Sequence, residues 1–299
     1  MLASSLVVLT WSGWITLSRQ GVGSVLTIYD MAALRFGTAA LVTAPLWPSY
    51  HFRRVRWGRA LFVALGCGFP YVLLSFAGLR TIGAAGAGVL VNGSLPLLSA
   101  LLAVVFLKRR PRPAVWVTCV VVLAADALMM GGGFVGVDAL TSVRGVVCLL
   151  LAALVLAAYM VAMEAWRFQA RDVLVLVPLI NAALLVPVWW LLLPSRLSEA
   201  TLSQIALQAG YQGIVVSVLA LFLISESVKR LGSLGSSLFM AWVPACTAAL
   251  AWWTLGEALS GMQILGIALC SAALVYYAAR SVPGATGNVS RFVRQHRRG

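Results

Sequence analysis

The sequence predicts an all-α integral membrane protein: ten transmembrane helices, arranged as two inverted five-helix repeats around a central cavity. Three observations carry this. Hydrophobic residues make up 62% of the 299 and charged residues 10%, with a mean hydropathy of +0.97, well above the roughly 45–50% apolar content of soluble domains. Ten apolar spans follow one another with short connections, at about 2–18, 29–48, 60–79, 83–107, 113–130, 144–165, 173–193, 204–226, 233–255 and 262–279. Most approach the ~20 residues that cross a ~30 Å hydrocarbon core. Finally, residues 82–130 are echoed 148 positions later, with Pro96 falling on Pro244 and Leu107 on Leu255.

The echoed stretch is the organising one. Residues 231–280 read as two apolar helices joined by a turn at Gly256–Gly261, with Pro244 near the middle of the first. A proline cannot donate its backbone hydrogen bond, so Pro244 frees the carbonyl of Met240 and Pro96 that of Asn92. In lipid such a group must be satisfied internally or face a wet cavity. Interrupted helices at corresponding places in two halves point to a transporter's binding site. Pro70 marks a further break in the third span. The chain then divides into a first repeat at 1–130, a glycine-rich linker at 131–143, a second repeat at 144–280 and a basic tail at 281–299. Five spans is an odd number, so the second repeat enters from the opposite face.

Charge sets the orientation. With both termini on one side, 17 of the 22 Lys and Arg residues fall on that side and four on the other, leaving Arg35 inside a span. By the positive-inside rule the basic side is cytoplasmic. The expectation is a multi-pass protein of the cell inner membrane with both termini cytoplasmic. The net charge of +14 is then accounted for by basic loops facing membrane lipids, with no need of nucleic acid. Met1 to Leu17 has no basic leader and reads as the first span. Five single cysteines lie in apolar spans, the two histidines lie in basic segments, and neither a metal-ligand spacing nor a P-loop, HExxH or Gly-x-Ser-x-Gly motif occurs. Hence no metal, no cofactor and no enzyme activity are expected.

Leu255-Gly256-Glu257 closes span 9, followed by Ala258-Leu259-Ser260 and the Gln263–Gly266 start of span 10; Ala33-Leu34-Arg35-Phe36 sits in span 2. These residues, with the doubled ten-span pattern, resemble the ten-helix drug/metabolite transporters of the EamA type. The resemblance implies a central cavity, alternating access, and spans 5 and 10 packed outside the cavity. It leaves the substrate open among amino acids, nucleobases and other metabolites. One departure is Lys108-Arg109-Arg110, where the family often carries an acid.

Candidate substrate contacts are Asn92 and Met240, one turn before the prolines, with Trp242, Trp11, Tyr71, Tyr159 and Gln212. Each has a plainer reading as a packed or hydrogen-bonded interior residue. Trp14 and Asn181 are weaker candidates. Trp47, Trp57, Trp189, Trp190, Trp252 and Trp253 lie toward span ends, as interfacial anchors do. Glu164 and Glu226 read as solvated helix-end acids and Glu257 as a turn cap. Arg35 and Asp126 are charges inside spans at similar depth and are expected to be linked. The resulting pocket would have aromatic walls and neutral hydrogen-bond groups, with no evident fixed charge at its centre. The function expected is a secondary transporter, an exporter of a small organic metabolite such as an amino acid. The alternatives are a lipid-modifying membrane enzyme and a non-transporting structural subunit. The partners expected are the substrate and membrane lipids, with a homodimer left open.

Overall fold

The computed structural model describes residues 2–108, 110–131, 139–240, 242–256 and 258–281. Most of the linker, the basic tail and Glu257 lie outside them. Among the described residues there is no strand. Ten helices follow in order: α1 (Leu2–Val22), α2 (Ile28–Thr43), α3 (Trp57–Leu79), α4 (Ala84–Leu107), α5 (Pro113–Gly131), α6 (Ala139–Trp166), α7 (Ala170–Leu192), α8 (Leu202–Ser233), α9 (Gly235–Leu255) and α10 (Gly261–Ser281). Six of them, α3, α4 and α6–α9, are long and apolar enough by length and composition to cross a membrane. The chain is an all-helical multi-pass membrane protein.

Helix packing follows the sequence echo. Exchange each helix for the one five places along and the packed pairs map onto one another. The pair α3–α6 maps onto α8–α1, α2–α8 onto α7–α3, and α4–α6 onto α9–α1. The pairs α2–α7, α4–α9 and α5–α10 map onto themselves. Ala84–Gly88 of α4 lies on Val243–Leu255 of α9, and Leu95–Leu107 lies on Leu221–Met240, which runs from the end of α8 into α9. A large core runs through α1–α4 and α6–α9. Val122 and Ala125 of α5 pack with Cys270 and Ala273 of α10 and Leu238 in a separate, smaller cluster. This fits α5 and α10 standing beside the main bundle.

The proline breaks occur where the sequence predicts them. In α3 the helix stops at Gly66 and restarts at Phe69, with Pro70 in its first turn. In α4 a π turn over Val89–Gly93 precedes a restart at Leu95, and Pro96 is its second residue. In α9 the restart is at Val243, and Pro244 is second. Proline suits the first turn, where its missing N–H costs nothing. Two irregularities lack a proline and were not foreseen. Ala209–Ala220 of α8 is wound as a π helix, and Gly232 (φ 76°, ψ 172°) breaks the chain between α8 and α9.

The helix ends show the same doubling. Lys108 (φ 52°) closes α4 and Gly256 (φ 67°) closes α9, both left-handed. Each backbone N–H reaches the carbonyl five residues back, Ala103 and Ala251, a common helix stop. α2 and α7 both open on a capping box, Thr27 with Asp30 and Gln169 with Asp172. Their first-turn acids also suit the positive end of the helix dipole.

Candidate functional site

Trp11 and Trp14 lie three residues apart on α1, and so share a face. Their rings meet edge to face at 5.8 Å. Trp14 also lies against Tyr71 at 5.5 Å and Phe76 at 6.5 Å, both on α3 just past the Pro70 break. The Arg35 guanidinium of α2 sits 5.5 Å from the Trp14 ring centroid, in cation–π range. All five residues are at most 1% exposed. A fixed charge therefore does adjoin the aromatic wall, against the neutral pocket expected from sequence.

Gln212 joins this cluster from the π segment of α8. Its Oε1 accepts from Trp14 Nε1 at 2.8 Å and from Arg35 Nη1 at 3.5 Å. Its Nε2 donates to Gln208 Oε1 at 2.9 Å and Ser18 Oγ at 3.3 Å. Ser217 Oγ donates to the Gln212 carbonyl five residues back at 2.9 Å, which suits the wider π winding. Such segments concentrate at functional sites. Gly213 makes the approach of α2 possible: an added Cβ there would lie 2.5 Å from Thr38 Cβ and 3.2 Å from the Arg35 carbonyl.

Polar atoms are left over in this interior. Trp11 Nε1, Arg35 Nε, Tyr71 Oη, Asn92 Oδ1 and Tyr159 Oη are buried without a hydrogen bond of good geometry. Trp11 and Tyr71 do approach one another, and Tyr159 approaches Ser225 and Cys67. Buried polar groups are nearly always paired, so several orphans in one region need a reason. Asn92 lies in the π turn of α4, and its Nδ2 reaches only the Gly88 carbonyl of its own helix, at 3.4 Å. Gly88 stands directly against the other break, since a Cβ on it would lie 3.4 Å from Pro244 Cα. Ser12 Oγ of α1 donates to the Val243 carbonyl at 3.3 Å. The two broken helices and α1 thus meet at one level. Met240 is buried there.

The structure brings Trp11, Tyr71, Arg35 and Gln212 into one cluster, and Asn92 and Met240 to the paired breaks of α4 and α9. Tyr159 packs from α6 on the end of the first part of α3, its Cβ 2.8 Å from where a Cβ on Gly66 would be. Trp242 differs: it is 39% exposed and makes no ring contact with the cluster among the described residues. The side chain of Asp126 lies outside the described residues; Arg35 meets Gln212 and Trp14, and no described carboxylate pairs with it.

Three residues have roles the sequence did not reveal. Asn181 of α7 is a splint for the α3 break: Nδ2 donates to the Ala64 carbonyl and Oδ1 accepts from Phe69 N–H, both at 2.8 Å. Trp189, read as an interfacial anchor, donates to Asp30 Oδ1 at 2.9 Å. Glu164, read as solvated, accepts from Ser233 N–H at 2.7 Å and Ser233 Oγ at 2.6 Å. It thereby caps the restart after Gly232. No periodicity signals these partnerships, because each crosses between helices far apart in the chain.

Comparison with known proteins agrees with this arrangement. The EamA-like transporter family matches residues 1–131 and 143–278. A Bacillus subtilis (strain 168) protein named as an uncharacterized transporter, YwfM, is 28% identical over 256 residues, covering 82% of each chain. A solved crystal structure superposes with a TM-score of 0.73 at 25% identity, covering 95% of this chain and 98% of the other.

Proposed function

The chain belongs to the EamA-like transporter family, and from that premise we propose that it is a secondary transporter exporting a small carboxylate-bearing metabolite, an amino acid or a close relative. The observation that carries this is Arg35. A charge at a helix centre costs about 2.5–3.5 kcal/mol on the insertion scale, and this one is buried beside orphaned polar atoms without a described acid to balance it. A substrate carboxylate would supply the countercharge. The faces of Trp11, Trp14 and Tyr71 would take an apolar or aromatic portion. Asn92 and the open backbone at the paired breaks would bind an amine or amide. The basic face is placed in the cytoplasm of an inner membrane, with alternating access about the α4–α9 crossing.

Proteoliposomes loaded with a panel of radiolabelled metabolites test the reading. Movement of carboxylate-bearing compounds, with amines lacking the carboxylate left behind, is the expected result. Preference for cations or for phosphorylated compounds would overturn it.

A further inference from the structure

On the face carrying the α2–α3 loop, a cleft of about 510 Å³ opens between that loop, the end of α6 and the start of α7. Arg54, Arg56, Arg59, Arg167, Arg171 and His51 line it, with Asp172 as the one acid. Both Asp172 oxygens are engaged: Oδ1 accepts from Tyr50 Oη at 2.7 Å and Oδ2 from Gln169 N–H at 2.9 Å. Arg171 is tied to Ser49 at 2.7 Å and 2.8 Å, and Arg59 lies 5.4 Å over the Trp166 ring. No described carboxylate pairs with Arg54, Arg56, Arg59 or Arg167. Arg167, at φ 55°, closes α6 with the same left-handed stop that Lys108 makes for α4.

A second cleft, of about 580 Å³, lies at the α7–α8 connection. Trp189, Trp190, Ser195 and Ser198 are among its lining residues, and no charged residue lines it. Depth identifies the ligand. Phe62, 48% exposed, packs edge-on against Trp166, and Trp57, 53% exposed, stacks on Phe52. Exposed aromatics flanking a cleft place it at the membrane–water boundary. Basic pockets between helices at that level hold anionic headgroups, and guanidinium forks match phosphate oxygens in pairs.

We propose that this cleft is a specific site for the headgroup phosphate of an anionic phospholipid. Native mass spectrometry of the detergent-purified full chain, offered equal phosphatidylglycerol and phosphatidylcholine, tests it. A roughly tenfold preference for phosphatidylglycerol is expected in the unaltered protein, falling to near parity in the double variant Arg54→Gln with Arg56→Gln. The double variant Lys229→Gln with Arg230→Gln removes two cations of the same face outside the cleft, and should keep the preference. No preference in the unaltered protein, or equal loss in both double variants, would overturn the site. Inorganic phosphate at millimolar concentration should leave the lipid adduct in place. Displacement of the lipid by free phosphate would transfer the site to a soluble ligand and overturn the lipid assignment. The unaltered protein's preference is read without any variant, so misfolding of a variant leaves the test standing.

Discussion

Asp30 and Asp172 hold the same position in the two halves, the third residue of α2 and of α7, and each ties its helix start to the connection of the other half. Asp30 accepts from Trp189 Nε1, Ser195 Oγ at 2.6 Å and Arg196 N–H at 3.0 Å, beside its own cap at Thr27. Asp172 accepts from Tyr50. Burial, then the hydrogen bond and charge of Asp172, hold the Tyr50 phenol protonated well above its usual range. Asp30→Ala leaves three donors of the second half without their acceptor. It should lower stability by about 3 kcal/mol, and Tyr50→Phe by about 1–2 kcal/mol. Thermal unfolding in detergent, followed by tryptophan fluorescence, measures both. Equal losses in the two variants would count against this ranking.

Arg35→Gln should cut transport of a carboxylate-bearing substrate by roughly 10–100-fold, the worth of a hydrogen bond to a charged group. Asn92→Ala should also reduce it. Membrane insertion and yield should be unchanged in both. Full transport in Arg35→Gln would move the carboxylate contact elsewhere.

Asn181→Ala removes the splint across the α3 break and strands the Ala64 carbonyl and Phe69 amide in the membrane interior. The expected loss is about 2–3 kcal/mol. Amide hydrogen exchange should rise at Phe69 more than elsewhere in α3. Unchanged exchange there would show the amide re-satisfied by another group.

Lys108 and Gly256 make the same left-handed stop with opposite fitness for it. Lys108→Gly should stabilise by about 1 kcal/mol and Gly256→Ala should destabilise by a similar amount, read from unfolding midpoints. A destabilised Lys108→Gly would mean that the lysine side chain contributes more than its backbone strain costs.

Topology can be read directly. Cysteines introduced at positions 53 and 230 should label only from the cytoplasm, and one at 196 only from outside. Labelling of position 53 from outside would reverse the orientation and with it the assignment of the basic cleft to the inner leaflet.

Proline made much of this architecture legible. Pro70, Pro96 and Pro244 locate three breaks, each in the first turn of a restarted helix, while Pro178 and Pro187 lie inside α7 without ending it. The echo between α4 and α9 was readable through Pro96 and Pro244. The π winding around Gln212 was not, since it carries no residue signature. Nor was the place of Trp189 beside Asp30: a tryptophan near a span end serves an interface equally well, and only the folded connection supplies the acid. Trp242 stands just before Pro244, but a helix restart turns successive side chains through about 100° each, and position alone does not say which way this one turns.

The splint at Asn181 also bears on how the molecule is made. The α3 break leaves the ribosome more than a hundred residues before Asn181 does, and Asp30 emerges well before Trp189, Ser195 and Arg196. During that interval a newly inserted first half holds an open helix break and a carboxylate lacking its cross-half donors. It reaches its final state only when the second half arrives, so a truncated chain should present these features to membrane quality control.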